Sequence, residues 1–300
     1  MKTACREERS DNLSQRSATF PSPGQGSPSR AGVRSGTNSG SPGARIAAAG
    51  VSKTFADGLQ TLETVSLEVE PGEFIALLGP SGCGKTTFLR IAAGLEPLSD
   101  GRLTVESAAP DRPAEVGYVF QTPTLMPWAS VLANVRLPLT LRKKPRKSAD
   151  AEAKAALENV GLADFAEALP RQLSGGMAMR ASLARALVTK PNLLLLDEPF
   201  AALDEMTRFR LGDELMALQE EQKFTVLFVT HSLYEAAFLA DRVVVFSPRP
   251  GRIIGEVRNG AARPRRPDYR TSQPFQELVE ELRRLLSGDA EPSSSPQNMS

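Results

Sequence analysis

In residues 73–95, an apolar run, a glycine-rich turn and an apolar-periodic stretch follow one another directly. This succession limits the folds that the chain can adopt. Residues 73–78 have the length of a buried strand, and residues 87–95 have helical spacing. Between them, residues 79–86 complete the spacing Gly-x-x-x-x-Gly-Lys-Thr. A phosphate-binding loop requires this strand–turn–helix context, which favours that interpretation over a glycine turn that binds nothing.

The chemistry of the turn suits an anion. Its glycines let successive backbone N–H groups point inward, and a helix that begins near Lys85 adds its positive end. Lys85 would place a charge near the β- and γ-phosphates, and the Thr86 hydroxyl could bind Mg²⁺. The candidate phosphate-binding residues are Gly79, Pro80, Ser81, Gly82, Cys83, Gly84, Lys85, Thr86 and Thr87.

Composition excludes several classes of protein. A net charge of +1 over 300 residues argues against bulk nucleic-acid binding and against a polybasic membrane anchor. The two cysteines, Cys5 and Cys83, do not make a disulfide framework, and they fit a reducing compartment. No apolar run approaches the roughly 20 residues that span a bilayer, and residues 1–15 lack the apolar core of a secretory signal. We therefore expect a soluble protein of one large or two small domains.

The first 44 residues are rich in Ser, Gly, Pro and Arg and contain few large apolar residues. Such a stretch cannot bury enough surface to offset its chain entropy, so it is predicted to be disordered. Residues 12–45 contain four arginines and no acidic residue, which resembles a transit peptide or a segment that binds an anionic surface. A solvated tail, or a start codon assigned too far upstream, is the simpler interpretation.

Alternating residues from Ile46 to Glu70 predict two or three antiparallel strands before the glycine-rich turn. Phe55, just before an Asp-Gly turn, could stack on an adenine ring or belong to the core. Two further strands are predicted at 101–107 and 116–120. Gln121 stands at the end of the second, where ligands bind in such sheets.

From about residue 122 to residue 189 the pattern becomes helical and interrupts the strand–helix alternation, which indicates a helical insert. Ser130 is predicted to cap one helix, and a second helix is predicted from a cap at Ser148 to a stop at Gly161. Ser174, Gly175 and Gly176 precede a third helix. This tripeptide is either an ordinary cap or a second anion site at a helix N-terminus.

Two more buried strands end in polar residues. Four leucines at 193–196 predict a central strand, and Asp197 and Glu198 close it. Unpaired carboxylates are costly to bury, so this pair makes more sense beside a Mg²⁺-bound nucleotide, one for the metal and one for water. His231 follows the strand 224–230 and is the only histidine. A lone histidine is usually structural, but its position on the same rim favours a ligand role.

The C-terminal part predicts strands at 242–246 and 252–257, a basic linker at 263–272 and a helix from 276 to 286. Residues 288–300 look disordered. The domain prediction is thus an N-terminal tail of 44 residues, a domain at 45–262 and an extension at 263–300.

The order of these motifs resembles one family. The phosphate loop, Gln121, LSGGM, LLLLDEP, AALD and His231 together resemble the ATP-binding subunits of ABC transporters over about residues 45–260. LSGG at this spacing separates that family from phosphate-loop kinases and GTPases. The resemblance implies an α/β fold with a RecA-like phosphate-loop NTPase core, an antiparallel β subdomain and a helical subdomain insert.

The resemblance also implies roles at matching positions. Lys85, Ser81 and the loop amides would bind the phosphates of ATP, and Thr86, Gln121 and Asp197 would bind Mg²⁺. Glu198 would be the general base and His231 would contact the γ-phosphate, so the catalytic set is Glu198, His231, Lys85 and Gln121. Phe55 would be the adenine platform. Ser174, Gly175 and Gly176 would bind the γ-phosphate held by the opposite protomer of a head-to-tail dimer, with Asp204 at that interface.

Four positions depart from the usual family pattern. Met177 and Met179 stand where many members carry Gln, and Met179 could weaken polar contacts near the signature helix. Ala201 replaces a small polar residue, and Phe55 replaces a tyrosine, which keeps stacking but loses the hydroxyl. None of these changes removes a charged catalytic group, so ATPase activity is expected.

A finer resemblance rests on LMPWASVLANVRLPL, EPFAALDEMTR and SPRPGRI. These are similar to the importer branch that takes up nitrate, sulfonates, taurine or pyrimidine precursors. It implies a homodimer at the cytoplasmic face of the inner membrane, peripheral, bound to permease subunits and acting through them with a periplasmic or lipid-anchored solute-binding protein. No nucleic acid is implied. Trp128 and the helical insert would receive a permease coupling helix.

Two rivals remain at this level. A soluble ABC ATPase of translation or cluster assembly is one, although translation members usually carry two cassettes and this chain has one. A non-enzymatic partner that binds ATP structurally is the other, and the intact Glu198 and His231 argue against it.

Overall fold

A computed structural model of the chain describes residues 43–109, 113–201 and 203–288. Its strands are β1 Ala44–Thr54, β2 Gln60–Val69, β3 Phe74–Leu78, β4 Asp100–Ser107, β5 Val116–Val119, β6 Leu193–Asp197, β7 Thr225–Thr230, β8 Arg242–Phe246 and β9 Ile253–Arg258. Its α-helices are α1 Lys85–Ala92, α2 Val131–Leu141, α3 Arg146–Asn159, α4 Gly175–Leu187, α5 Glu205–Gln222, α6 Leu233–Leu239 and α7 Gln273–Ser287.

The larger sheet has the order β5-β6-β7-β3-β8-β9. All neighbours are parallel except β9, which runs antiparallel to β8. Strands β3, β6 and β7 are buried along their whole length, as their unbroken apolar runs predict. Parallel strands end at one edge of a sheet, so the glycine-rich turn, Gln121, Glu198 and His231 all follow strands at that edge. The predicted α/β core is confirmed.

A second sheet of three antiparallel strands, in the order β2-β1-β4, stands beside the core. One hydroxyl ties the two sheets together. Thr225 Oγ1 donates to the Ala44 carbonyl at 2.6 Å and accepts from the N–H groups of Ala44 and Gly72, each at 2.9 Å. Gly43 and Ala44 are therefore part of the fold, which corrects the C-terminal limit of the predicted tail. The rest of that tail, residues 1–42, lies outside the described residues.

Helices α2, α3 and α4 pack on one another around a cluster of their own, which includes Val135, Leu157 and Ala184. Ser130 caps α2, as predicted, by accepting the Ala133 N–H at 3.2 Å. The predicted cap at Ser148 is wrong.

The reason is Pro145, three residues before the predicted cap. Helix α3 begins at Arg146, directly after Pro145. The fixed φ of proline and its missing N–H suit a position at the start of a helix. Ser148 therefore falls inside α3, where its hydroxyl bonds to the Glu152 carboxylate at 3.0 Å.

The basic segment 263–272 packs on the domain, which corrects the prediction of a linker. The Arg265 side chain is only 1% exposed and donates to the Phe238 carbonyl at 3.0 Å. Arg270 stacks on the Phe238 ring at 3.4 Å. Arginine and proline suggested a solvated stretch, but guanidinium groups also stack on aromatic rings and pair with buried acids.

Helix α7 follows this segment and packs on α6, β8 and β9. Its buried face consists of Phe275, Leu278, Val279 and Leu282. Residues 289–300, predicted to be disordered, lie outside the described residues. In the described ranges, no helix has the length and apolar character needed to span a membrane.

Candidate nucleotide-binding site

Lys85 is held inside the turn that joins β3 to α1. Its ammonium donates to the carbonyls of Gly79 at 2.6 Å and Pro80 at 2.8 Å, and it lies 3.6 Å from the Cys83 thiol. The residue is 4% exposed, and these three partners are uncharged. A buried cation with neutral partners is costly, and an anion in the turn would relieve that cost. This arrangement suits phosphate.

Two segments outside the turn pack closely against its backbone, and the sequence of the turn does not reveal them. Gly84 has φ 103°, and a Cβ there would lie 2.5 Å from the Thr61 carbonyl oxygen. Gly251, in the turn between β8 and β9, approaches still closer: its Cβ would lie 2.0 Å from the Cys83 carbonyl oxygen. Both positions therefore need glycine. The β8–β9 turn packs against the Cys83 carbonyl and so helps to fix the shape of the phosphate loop.

Two of the predicted metal ligands are in contact. The Thr86 hydroxyl donates to Asp197 Oδ1 at 2.7 Å, and the Tyr118 hydroxyl donates to Oδ2 at 3.3 Å. Burial raises the pKa of Asp197, while these two hydrogen bonds oppose that effect. Burial and the nearby Asp197 charge raise the pKa of Tyr118. Hydroxyl and carboxylate oxygens are the ligands that Mg²⁺ prefers, so Thr86 and Asp197 fit a magnesium site. Gln121 is exposed beyond β5, the neighbour of β6.

Glu198 and His231 form a second pair at the same edge. His231 Nδ1 lies 3.1 Å from Glu198 Oε2. The Glu198 N–H donates to the Val229 carbonyl at 3.0 Å, which ties the end of β6 to β7. Glu198 has φ 45°, in the left-handed region that non-glycine residues rarely occupy. An unusual backbone conformation thus occurs at the residue whose carboxylate contacts the imidazole.

Phe55 is half-buried in the turn after β1 and belongs to none of the hydrophobic clusters of the described residues. Lys53 Nζ lies 4.9 Å from the centroid of its ring and also bonds to the Pro97 carbonyl at 2.7 Å. The ring is thus held from one side by a fixed cation. This placement is compatible with the adenine-platform interpretation and does not support the core interpretation.

The Ser174–Gly176 turn is separate from the phosphate loop within one chain. Ser174 is exposed and caps α4 by accepting the Met177 N–H at 3.2 Å. A Cβ on Gly176 would lie 3.0 Å from the Thr207 side chain. Among the described residues, the turn makes no hydrogen bond to Lys85 or Thr86.

The positions that depart from the family pattern differ in environment. Met179 is 4% exposed and packs in the core with Leu183 and Phe200, so it does not replace a polar contact at the surface. Ala201 is exposed, and its N–H donates to the Glu198 carbonyl at 3.2 Å. Asp204 caps α5 by accepting the Thr207 N–H at 2.9 Å.

Trp128 is the most exposed large apolar side chain of the described residues, at 79%. It lies in the segment before α2, among partly buried Leu125, Met126 and Ala129. An indole left in water at the edge of the helical subdomain suits a docking role.

Two site residues were not predicted from the sequence. Tyr118 contacts Asp197, and its only signal was a hydroxyl in the otherwise apolar run 116–120. Gly251 supports the phosphate loop, and its signal was a Pro-Gly turn between two predicted strands. Both contacts join segments far apart in the chain, so neither follows from local spacing.

Comparison with known proteins identifies relatives of this chain. The family model described as "ABC transporter" matches residues 62–201. The chain is 43% identical over 234 residues to a taurine import ATP-binding protein of Rhizobium johnstonii, covering 76% of this chain and 89% of that protein. It is 40% identical over 233 residues to an aliphatic sulfonates import ATP-binding protein of Bacillus cereus, covering 76% and 90%.

A solved structure has the same fold. It is a dimeric ATP-binding cassette in a post-hydrolysis state, bound to ADP and Pi. It is 31% identical to this chain with a TM-score of 0.64, and the match covers 72% of this chain and all of that one.

Proposed function

This chain belongs to the ABC transporter family, as an ATP-binding protein, and on that premise we propose that it drives an importer by hydrolysing ATP at the edge formed by β3, β6 and β7. The observation that carries the proposal is the buried Lys85 ammonium, enclosed by neutral groups in a loop shaped for an anion. ATP phosphates would supply the missing negative charge.

The surrounding residues divide the chemistry among them. Thr86, Asp197 and Gln121 would hold Mg²⁺, which would supply positive charge beside the phosphates. Glu198 accepts a proton from the attacking water, and His231 contacts the γ-phosphate. The 3.1 Å contact between these two side chains supports a shared task at one phosphate. Phosphoryl transfer of this kind depends mostly on positioning and on charge stabilisation.

The site is completed by a second copy. The Ser174–Gly176 turn is exposed and makes no hydrogen bond to the phosphate loop of its own chain, within the described residues. The related cassette solved with ADP and Pi is dimeric. In a head-to-tail dimer this turn would bind the γ-phosphate held by the partner, using the free N–H groups at the start of α4.

We propose that the cargo is a small anion or organic solute, such as nitrate, a sulfonate or taurine. Relatives at 40% and 43% identity are named for the import of aliphatic sulfonates and taurine. We propose a permease as direct partner, a solute-binding protein acting through it, and a location at the cytoplasmic face of the membrane. These import names also favour transport over a soluble ABC ATPase of translation or cluster assembly.

The test is Glu198→Gln. Glutamine keeps the size of the side chain but cannot accept a proton, so MgATP binding should persist while hydrolysis falls about 10²–10⁴-fold. ATP that is not hydrolysed should hold two chains together. The variant should then elute from a sizing column as a dimer with MgATP and as a monomer with MgADP. Glu221→Gln, an exposed glutamate on α5, is the matched control and should behave as wild type.

A second substitution separates the two halves of the proposal. Ser174→Arg, added to Glu198→Gln, should abolish the dimer by a clash at the shared phosphate while leaving ATP binding at Lys85 intact. Normal turnover in Glu198→Gln would remove Glu198 from the role of base. A trapped state that stays monomeric would contradict the two-chain site.

A further inference from the structure

Glu235 is a buried carboxylate just behind the Glu198–His231 pair. It lies on α6, and its side chain is 11% exposed. Its Oε2 accepts the Thr230 hydroxyl at 2.5 Å, and Thr230 is the residue immediately before His231. Its Oε1 lies 3.3 Å from Arg208 Nε on α5. One carboxylate thus connects the histidine turn to a different helix.

Arg208 makes a second contact, on the other side of the site. Its Nη2 donates to the Leu203 carbonyl at 3.0 Å. Leu203 lies in the loop that follows Glu198, and the same loop is closed by the bond from Ala201 N–H to the Glu198 carbonyl. The guanidinium therefore contacts the loop after Glu198 directly and reaches the His231 turn through Glu235.

Packing alone does not fix the His231 side chain, whereas the Glu198 side chain is only 15% exposed. The His231 side chain is 54% exposed. Its position depends on the turn that carries it, in which the Ser232 N–H donates to Thr230 Oγ1 at 3.0 Å. Because Glu235 accepts the hydrogen of that same hydroxyl, the carboxylate orients the Thr230 oxygen toward the turn.

Stability alone does not account for this pair. The Glu235 side chain is 11% exposed and that of Arg208 is 30% exposed, and an ion pair withdrawn from water is often no more stabilising than apolar side chains of similar volume. Beyond the 3.3 Å ion pair, each residue also bonds elsewhere: Glu235 to the Thr230 hydroxyl and Arg208 to the Leu203 carbonyl. The contacts of Arg208 and Glu235 thus lie beside the segments that carry Glu198 and His231.

We infer that Arg208 and Glu235 form a clamp that sets the position of His231 relative to Glu198, and that both are positioning residues for ATP hydrolysis. The inference rests on the proposed roles of Glu198 and His231. A small displacement of a reacting group can cost about 10²-fold in rate. Loss of the clamp therefore lowers kcat, whereas ATP still binds at the phosphate loop.

The chain offers a direct probe of the clamp, because His231 is its only histidine. Full-length protein labelled with ¹³C-histidine and freed of any tag gives one ring signal. Glu235→Gln and Arg208→Met should each shift that signal. Arg210→Met is the matched control, since Arg210 lies on the same helix in an exposed pair with Glu214. The control should leave the signal in place.

Kinetics should separate positioning from binding. In both clamp variants we expect kcat to fall about 10- to 100-fold with little change in KM for ATP, and Arg208→Lys to recover part of the loss. The double variant Arg208→Met/Glu235→Gln leaves no uncompensated buried charge and should fold. Since both residues act through one clamp, it should be no slower than the slower single variant.

Three results would overturn the inference. These are an unmoved histidine signal in both single variants, kcat values equal to that of Arg210→Met, or losses that simply add in the double variant. The histidine signal is read without turnover. It therefore tests the clamp even if Glu198→Gln were to hydrolyse ATP normally, which would contradict the proposed function instead.

Discussion

Among single residues, Phe55 is the clearest case of a side chain whose role can be measured. Its ring is half-buried beside Lys53 and outside the core. Phe55→Ala should weaken ATP binding by about 1 kcal/mol, the aromatic contribution beyond area, which is roughly fivefold in Kd. Phe55→Tyr should bind at least as well as wild type. Titration calorimetry with Phe165→Ala, a partly exposed phenylalanine of the helical subdomain, provides the control. Unchanged affinity in Phe55→Ala would exclude stacking.

Ionisation of the Glu235 carboxyl should make the unfolding free energy of the chain depend on pH. Burial raises its pKa, although Thr230, Arg208 and His231 oppose the shift, and Glu198 adds to it. The folded state thus holds the proton more tightly than the unfolded chain. This contribution to stability is full below the unfolded pKa and is lost as pH rises through the folded pKa.

Glutamine at this position cannot titrate. The unfolding free energy of Glu235→Gln relative to wild type should therefore increase from about pH 4 to about pH 7, as followed by urea unfolding. Glu221→Gln, exposed on α5, should show no such trend. A difference that stays constant with pH would mean that the carboxyl is not desolvated in the folded state.

The sequence predicted the residues whose roles follow from local spacing. Lys85, Thr86, Asp197 and His231 each stand at the end of a strand or the start of a helix, and parallel strands bring such positions to one edge. Tyr118 and the Arg208–Glu235 pair could not be predicted in this way. Their contacts depend on which side chains face each other between elements that are far apart in the chain.

At the scale of elements, α7 tests whether the C-terminal segment is part of the domain. Leu282, on the packed face of α7, is fully buried. Leu282→Ala should lower the unfolding free energy by about 2–5 kcal/mol through lost burial and a residual cavity. Arg284→Ala, on the exposed face of the same helix, should change it by less than about 0.5 kcal/mol. Thermal and urea unfolding measure both, and equal effects would show that α7 is not docked in solution.

Element boundaries show where sequence patterns were insufficient. The core strands follow from the sequence because a short unbroken apolar run is typical of a strand buried on both faces of a parallel sheet. Because serine is a common cap, Ser148 predicts too late a start for α3, whereas Pro145 marks the true start. The arginines of 263–272 read as solvated, since composition alone does not reveal Phe238 or Asp241 as their partners.

For the whole molecule, the exposed Trp128 predicts how the chain joins its permease. Trp128→Asp should keep the basal ATPase rate, since the side chain is remote from Lys85 in sequence and belongs to the helical subdomain. It should lose assembly with the permease, because docking would then have to desolvate a charge in place of an indole. Leu95→Asp is the control, since Leu95 is also exposed, at 58%, but lies after α1. Co-purification of stoichiometric permease with Trp128→Asp would place the docking surface elsewhere.

The left-handed backbone of Glu198 has a consequence on an evolutionary scale. A glutamate there carries a conformational cost of about 1–2 kcal/mol that glycine would not carry. Selection for a stable fold alone would therefore favour replacing this glutamate. Selection for ATP hydrolysis would retain it. A descendant released from transport should lose this glutamate before it loses the residues of the core, so the position would record whether a lineage still uses its ATP.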